Sequence, residues 1–379
     1  MKTKNRFDEF GLLKAISIMG LPFVHLMSEV LNQEIGEIAV NDLLPLMTAL
    51  CLFGPTVFML CMGFGLAGGK TSARQLRREG VQFLLIGLLL NILRALIPYT
   101  LMSVVLHKPY PEAYEQFVIS DIYYFVGLYF LFLSVMRQLN ISLPGITLIS
   151  LLMLTVNMAL SPWMAAWFSG SPKFVREFLG NFVYVDEYSS FPVLGWTVYP
   201  TLGLCLGTAL RKTDVDTKKG FMLRMLLSSL TVLAAVLVFR WTQSLSLEAI
   251  LNPFSGTSDL SIVVALVCVT LIVVYLGYLL CCKVSGTKFL DFMLRISSNI
   301  IIFYLSQWIL VRWIVCILCL CGCPQGAFTM AWYLVTSVAI IALSAFIALK
   351  FGMKIMIFLL KITSPWNYGR SRKKKRSAA

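Results

Sequence analysis

Apolar residues run along this chain in long blocks, separated by short polar segments rich in Lys, Arg, Gly, Ser and Pro. Blocks such as 146–168, 221–239, 262–281 and 300–320 reach the roughly 20 residues that a helix needs to cross a bilayer core. The pattern predicts ten membrane spans, over 11–30, 43–67, 81–105, 117–136, 146–168, 193–210, 221–240, 261–281, 298–320 and 331–349. The fold class is therefore all-α integral membrane, with a single ten-span unit over 1–349 and a basic cytoplasmic tail over 350–379. No small-residue cleavage site follows the first apolar run, so it reads as a retained helix and not as a signal peptide. Segment 169–192 is rich in aromatics and turn residues and fits a lid or a short interfacial helix. Segment 283–298 has apolar and charged residues at helical spacing and predicts a helix lying on the membrane surface. The chain shows no repeat of 20–50 residues and no inverted symmetry between halves.

Composition supports the membrane class. The chain of 379 residues is 58% hydrophobic and 13% charged, against about 25% charged in soluble proteins. Its net charge of +14 has a topological reading. With both termini in the cytoplasm, only Lys108, Lys173, Arg176 and Arg240 fall outside, and only Arg94 and Arg312 lie within spans away from their ends. All other Lys and Arg lie on the inner side, as lysine and arginine retention there requires. An odd number of spans would destroy this asymmetry. The basic charge thus needs no nucleic acid, and the terminal KKKR fits a tail held against anionic lipid. The ten cysteines lack the paired C-x₂-C spacing of a zinc site, and 316–323 (CILCLCGC) reads as small apolar residues at a helix end. No metal is expected.

Ionisable side chains at membrane depth are costly, so each is a candidate for function. In the first span Lys14 and His25 are eleven residues apart, which places them on one helix face about 16 Å apart along the axis. Glu29 follows His25 at i+4, within reach to orient its imidazole, and Pro22 between Lys14 and His25 weakens the helix locally. A snorkelling Lys14 and a structural His25 fit the same residues. Lys70, Arg74, Arg77 and Arg78 form a short inner loop after the flexible GFGLAGG, where they suit either nucleotide phosphates or ordinary positive-inside charge. Arg94 with Asn91 lies inside the third span and needs a partner, for which Asp121 of the fourth span is a candidate. Gln307 with Arg312 makes a similar polar face in the ninth span. The chain has no G-x-S-x-G elbow, H-E-x-x-H, Walker loop or dinucleotide fingerprint.

Four stretches together resemble the transmembrane acyltransferase superfamily, which includes the acyltransferase-3 proteins and bacterial relatives of heparan-α-glucosaminide N-acetyltransferase. KAISIMGLPFVH is similar to the family's first-helix motif of a basic residue, ten residues, then histidine, with lysine in place of arginine. GPTVFMLCMGFGLAGGKTSARQLRREG is similar to the second helix and its basic loop, and FPVLGWTVYPTLGLCLGTALRK to the Trp/Gly-rich sixth helix. ISSNIIIFYLSQWIL is similar to a late helix that usually carries Tyr-x-x-His, although here Gln307 stands near the histidine position. The aspartate usual three residues before the basic position is replaced by Gly11, and no histidine occurs in 31–42. The likeness covers roughly residues 6–320.

The resemblance implies acyl transfer across a cell membrane, a bacterial plasma membrane in this family. An acyl-CoA, acetyl-CoA in the simplest case, would bind from the cytoplasm with its phosphates near Lys14 and the 70–78 loop. An extracytoplasmic glycan or other envelope acceptor would meet the thioester at His25, the general base, oriented by Glu29. Asn91, Arg94, Asp121, Gln307 and Arg312 would line the path. Two other functions fit the same residues: a transporter or flippase of a small polar or lipid-linked substrate, and a non-catalytic membrane subunit. A homodimer is compatible with the sequence, which does not fix the oligomeric state.

Overall fold

A computed structural model describes residues 7–32, 40–69, 71–107, 117, 121–168, 170–183, 191–243, 259–323 and 329–363. These are helical with short turns, and no strand occurs among the described residues. The helices are α1 Asp8–Asn32, α2 Val40–Ala67, α3 Ala73–Leu106, α4 Ile122–Gln138, α5 Leu143–Phe168, α6 Lys173–Gly180, α7 Val193–Lys212, α8 Val215–Thr242, α9 Leu260–Lys283, α10 Lys288–Ser298, α11 Ile300–Leu320 and α12 Met330–Thr363. Eight of them (α1, α3, α5, α7, α8, α9, α11 and α12) are long and apolar enough to cross a membrane. The chain is thus an all-α, multi-pass membrane protein. Two further apolar stretches, Gly54–Ala67 within α2 and Ile122–Gln138, fall below that length.

Several expected boundaries shift. The segment around Arg74, Arg77 and Arg78 is not a loop but the first turns of α3. Ser72 caps that helix by accepting the Gln75 backbone N–H at 3.2 Å, so helix geometry starts well before the apolar run. Lys70 lies outside the described residues. Asp121 is not inside a span but is the N-cap of α4, its carboxylate accepting the Tyr123 N–H at 3.2 Å. The region after 349 is not a tail at its start, because α12 continues through 34 residues to Thr363. At 1.5 Å per residue it is about 50 Å long, well beyond the roughly 30 Å hydrocarbon core. The single lysines 350, 354 and 361 interrupt an otherwise apolar run there without breaking its helical order.

Within segment 169–192 the short helix α6 forms, and α10 confirms the helical periodicity read in 283–298. Arg240, assigned by sequence to an outer loop, occupies the last turn of α8 and is buried. Its guanidinium donates to Asp259 and Ser261 at 3.0 and 2.8 Å, tying α8 to the start of α9. Burial alone would raise the Asp259 pKa, but bonds from Ser261 and Arg240 outweigh it and hold the carboxyl below its ordinary value.

The centre of the bundle is set by close backbone approach. Without water or a hydrophobic drive between helices in lipid, packing favours small residues that let backbones touch. On α7, Gly203 and Gly207 form a small-xxx-small ridge against Gly63 and Ala67 of α2. A Cβ on Gly203 would lie 1.9 Å from the Leu60 carbonyl oxygen, and one on Gly63 would lie 1.8 Å from that of Pro200. α3 and α4 meet similarly, Gly80 against the Gly127 carbonyl and Gly127 against the Gly80 carbonyl. α1 runs against α2, α9, α10, α11 and α12 and is the hub of the bundle.

The glycine ridge predicts an asymmetric mutational response. Gly203→Ala and Gly63→Ala force the backbones of α2 and α7 apart and should each destabilise by about 1–3 kcal/mol or more. Gly65→Ala, whose Cβ would meet nothing within 4 Å, should leave the thermal midpoint in detergent unchanged.

Candidate functional site

The side chains expected at membrane depth converge where α1, α3, α4 and α11 meet. Their placement starts with an irregularity in α3. Residues 92–96 form a π-helical turn, with the Ile97 N–H donating to the Ile92 carbonyl. In that pattern the Leu93 carbonyl would await an N–H from residue 98, which is Pro98 and has none. The Trp313 indole N–H of α11 donates to the Leu93 oxygen instead, at 3.1 Å. Pro98 therefore both favours the wide turn and provides a docking point for α11. The turn carries Arg94 into the bundle.

Arg94 is buried and ion-paired with Asp121 at 2.6 Å, as its position in the third span required. Its Nε donates to the Asn91 side-chain oxygen at 3.0 Å, and Asn91 donates to the Phe117 carbonyl at 2.9 Å. Tyr304 of α11 donates to the Asp121 carboxylate, 3.1 Å from each oxygen. The Arg94 guanidinium also packs 4.4 Å from the Trp308 ring.

A second buried cluster adjoins the first. Arg312 of α11 pairs with Glu29 of α1 and donates to the Tyr99 hydroxyl of α3, and Tyr99 lies 3.4 Å from the same Glu29 carboxylate. All three side chains are buried. This corrects the expected role of Glu29. Its i+4 spacing allowed a contact with His25, but a guanidinium from another helix is the stronger partner for a carboxylate without water.

His25 takes a different neighbour. Its Nδ1 lies 3.2 Å from the Gln307 amide nitrogen, and its ring stacks on Trp308 with centroids 3.7 Å apart and planes 19° from parallel. Tyr304 approaches edge-on at 6.3 Å. Gln307 is fully buried and its Oε1 has no hydrogen-bond partner, while His25 remains half-buried. Turned over, the same amide offers that oxygen to an Nδ1–H, which leaves the lone pair on Nε2. In this arrangement the ring can accept a proton.

The basic candidates are not drawn into this site. Lys14 lies half-buried on α1. Arg74, Arg77 and Arg78 are exposed at the start of α3, and none is in an ion pair among the described residues. The first half of α3 packs mainly on α4, and no broad contact joins it to α1. His107, the other histidine, is exposed at the end of α3 in a left-handed conformation, φ 51°. The described cysteines are free, and no cluster of His, Cys, Asp or Glu suited to a metal occurs among the described residues.

Trp308, Tyr304 and Tyr99 were not anticipated. A signal for two of them existed: Tyr304, Trp308 and Arg312 follow at i, i+4 and i+8, one stripe along α11. Comparison of the chain with protein-family models, with curated proteins and with solved structures gave no significant match.

The two ion pairs predict a characteristic stability pattern. Glu29→Leu leaves Arg312 buried without its carboxylate and should cost about 3–5 kcal/mol. Glu29→Leu with Arg312→Leu should recover most of that loss, as measured by thermal unfolding of the purified protein. A Glu29 whose only role was to orient His25 would show neither effect.

Proposed function

We propose that the chain is a membrane acyltransferase that moves an acyl group, acetyl in the simplest case, from cytoplasmic acyl-CoA to an extracytoplasmic glycan or other envelope acceptor. The observation that carries this reading is His25, a half-buried imidazole at membrane depth, fixed through one nitrogen by Gln307 and through its face by Trp308. The resemblance of the first-helix and late-helix stretches supports the same assignment. His25 Nε2 would take the proton of the acceptor hydroxyl or amine as that atom attacks the thioester carbonyl. The C–S bond then breaks, and the imidazolium returns its proton to the leaving CoA thiolate. Gln307, not Glu29, would position the ring. Lys14, Arg74, Arg77 and Arg78 would receive the CoA phosphates, the exposure of the arginines leaving them free to do so.

This reading carries a topology of ten spans with both termini cytoplasmic, counting α2 and α4 with the eight long helices. Reporter fusions test it, and an external signal from a fusion after Ala379 would overturn it. A transporter is the second reading, favoured by the two ion pairs buried at membrane depth. Purified protein in liposomes separates the two: a transferase binds acetyl-CoA and cleaves its thioester, whereas a transporter moves solute without CoA.

His25→Ala should lower thioester cleavage by about 10²–10⁴-fold while CoA binding persists. Gln307→Glu, which can only accept from Nδ1–H, should retain more activity than Gln307→Leu. Replacing Arg74, Arg77 and Arg78 together by Ala should weaken CoA affinity more than turnover, each lost charge-assisted contact costing about 1.5–3 kcal/mol. Unchanged affinity returns the arginines to a purely topological role.

A further inference from the structure

A crevice of about 420 Å³ lies between α5 and α7 on one wall and α8 and α9 on the other. It shares no residue with the cluster around His25. We propose that it is a binding site for one hydrocarbon chain of a membrane lipid. The site stands whether or not the protein transfers acyl groups.

The chemistry of the wall selects the ligand. Several lining residues are Ser, Thr or Cys, yet the surface they present is almost wholly apolar. The reason is that most of their polar atoms are already engaged. Ser150 and Thr201 bond each other at 2.9 Å, with the Tyr129 hydroxyl 3.4 Å from Thr201. Thr147 donates to the Leu143 carbonyl at 3.0 Å, and Ser229 to that of Met225 at 2.8 Å. A polar ligand would lose its hydration and find few free partners there. Water is excluded on the same ground, since a buried water needs two to four polar partners.

Size and setting select the class further. All four helices are of membrane-spanning length and composition, so lipid tails surround the mouth. A helix from another protein is about 10–12 Å across, so a space of about 420 Å³ would hold no more than about one turn of it. Leaving it empty forfeits dispersion contacts along both walls. A flexible single chain restores them.

The packing gives the lipid a role. α8 packs broadly only on α9, and α9 on α1 and α2, whereas α5 is held through α7. No broad helix contact joins α5 to the α8–α9 pair. A chain in the crevice would bridge the two groups.

The test uses the full chain in nanodiscs containing a phosphatidylcholine with a photoactivatable diazirine in one acyl chain. Peptide mapping of the wild-type protein should concentrate label on lining positions, Val264, Val267 and Val232 among them, above lipid-facing Leu237. Val264→Trp and Ser228→Phe fill the space from different helices and should reduce that label to the Leu237 level. Delipidation should lower the thermal midpoint of the wild-type protein but not that of the filled variants. Label spread evenly over lipid-facing positions overturns the proposal, as does label unaltered by either filling substitution. Exclusion of the lipid by a co-purifying membrane segment mapped to the same residues overturns it too.

Discussion

A guanidinium in the hydrocarbon region has no water to share its charge with, and much of this bundle is arranged around that constraint. Arg94 and Arg312 enter the same region from α3 and α11, and each is met by a carboxylate from a different helix, Asp121 from α4 and Glu29 from α1. The result is four helices joined through two neutral pairs. Such pairs add little net stability over apolar packing, because removing the charges from water costs about as much as the attraction returns. Their effect is on register. A rotation or slip of α11 by one residue would turn Tyr304, Trp308 and Arg312 away from their partners together and leave charges exposed to lipid.

Backbone irregularity makes this arrangement reachable. The π turn before Pro98 leaves the Leu93 carbonyl without a helical donor, and the Trp313 indole supplies one from α11. The orphaned group thus becomes a contact between the two helices that carry the arginines. Elsewhere, glycine ridges bring α2 to α7 and α3 to α4 at distances that no side chain would permit. The same α4 holds the start of α3, where Ser134 donates to the Ala73 carbonyl at 2.7 Å and Arg137 to that of Thr71. Rigid backbone contact on both sides leaves the polar cluster little freedom to rearrange.

The membrane class and most helix positions were legible because hydropathy over some 20 residues is a long-range average that survives local error. Arg94 and Asp121 were legible as partners because a buried charge demands one and few were on offer. Glu29 was misread for the opposite reason. The i+4 rule sees one helix, whereas the residue that claims this carboxylate is 283 positions away. Arg74, Arg77 and Arg78 read as a loop because charge ends the apolar run, although Ser72 is a visible N-cap signal. Trp308 gave only its place in the Tyr304–Trp308–Arg312 stripe as a signal. In an apolar helix an aromatic reads as packing, and only its contacts with His25 and Arg94 separate it from its neighbours.

The partner of His25 bears on any chemistry assigned to it. Had Glu29 contacted the ring, Arg312 would have been left buried without its carboxylate, a costly arrangement. Arg312 removes that option by engaging Glu29, and the neighbouring Arg94 is likewise neutralised by Asp121. The imidazole is left with an uncharged amide at Nδ1 and an indole against its face. The ion pairs therefore do more than satisfy buried charge: they reserve the carboxylates for the arginines. His25 is half-buried, whereas the paired charges around it are enclosed.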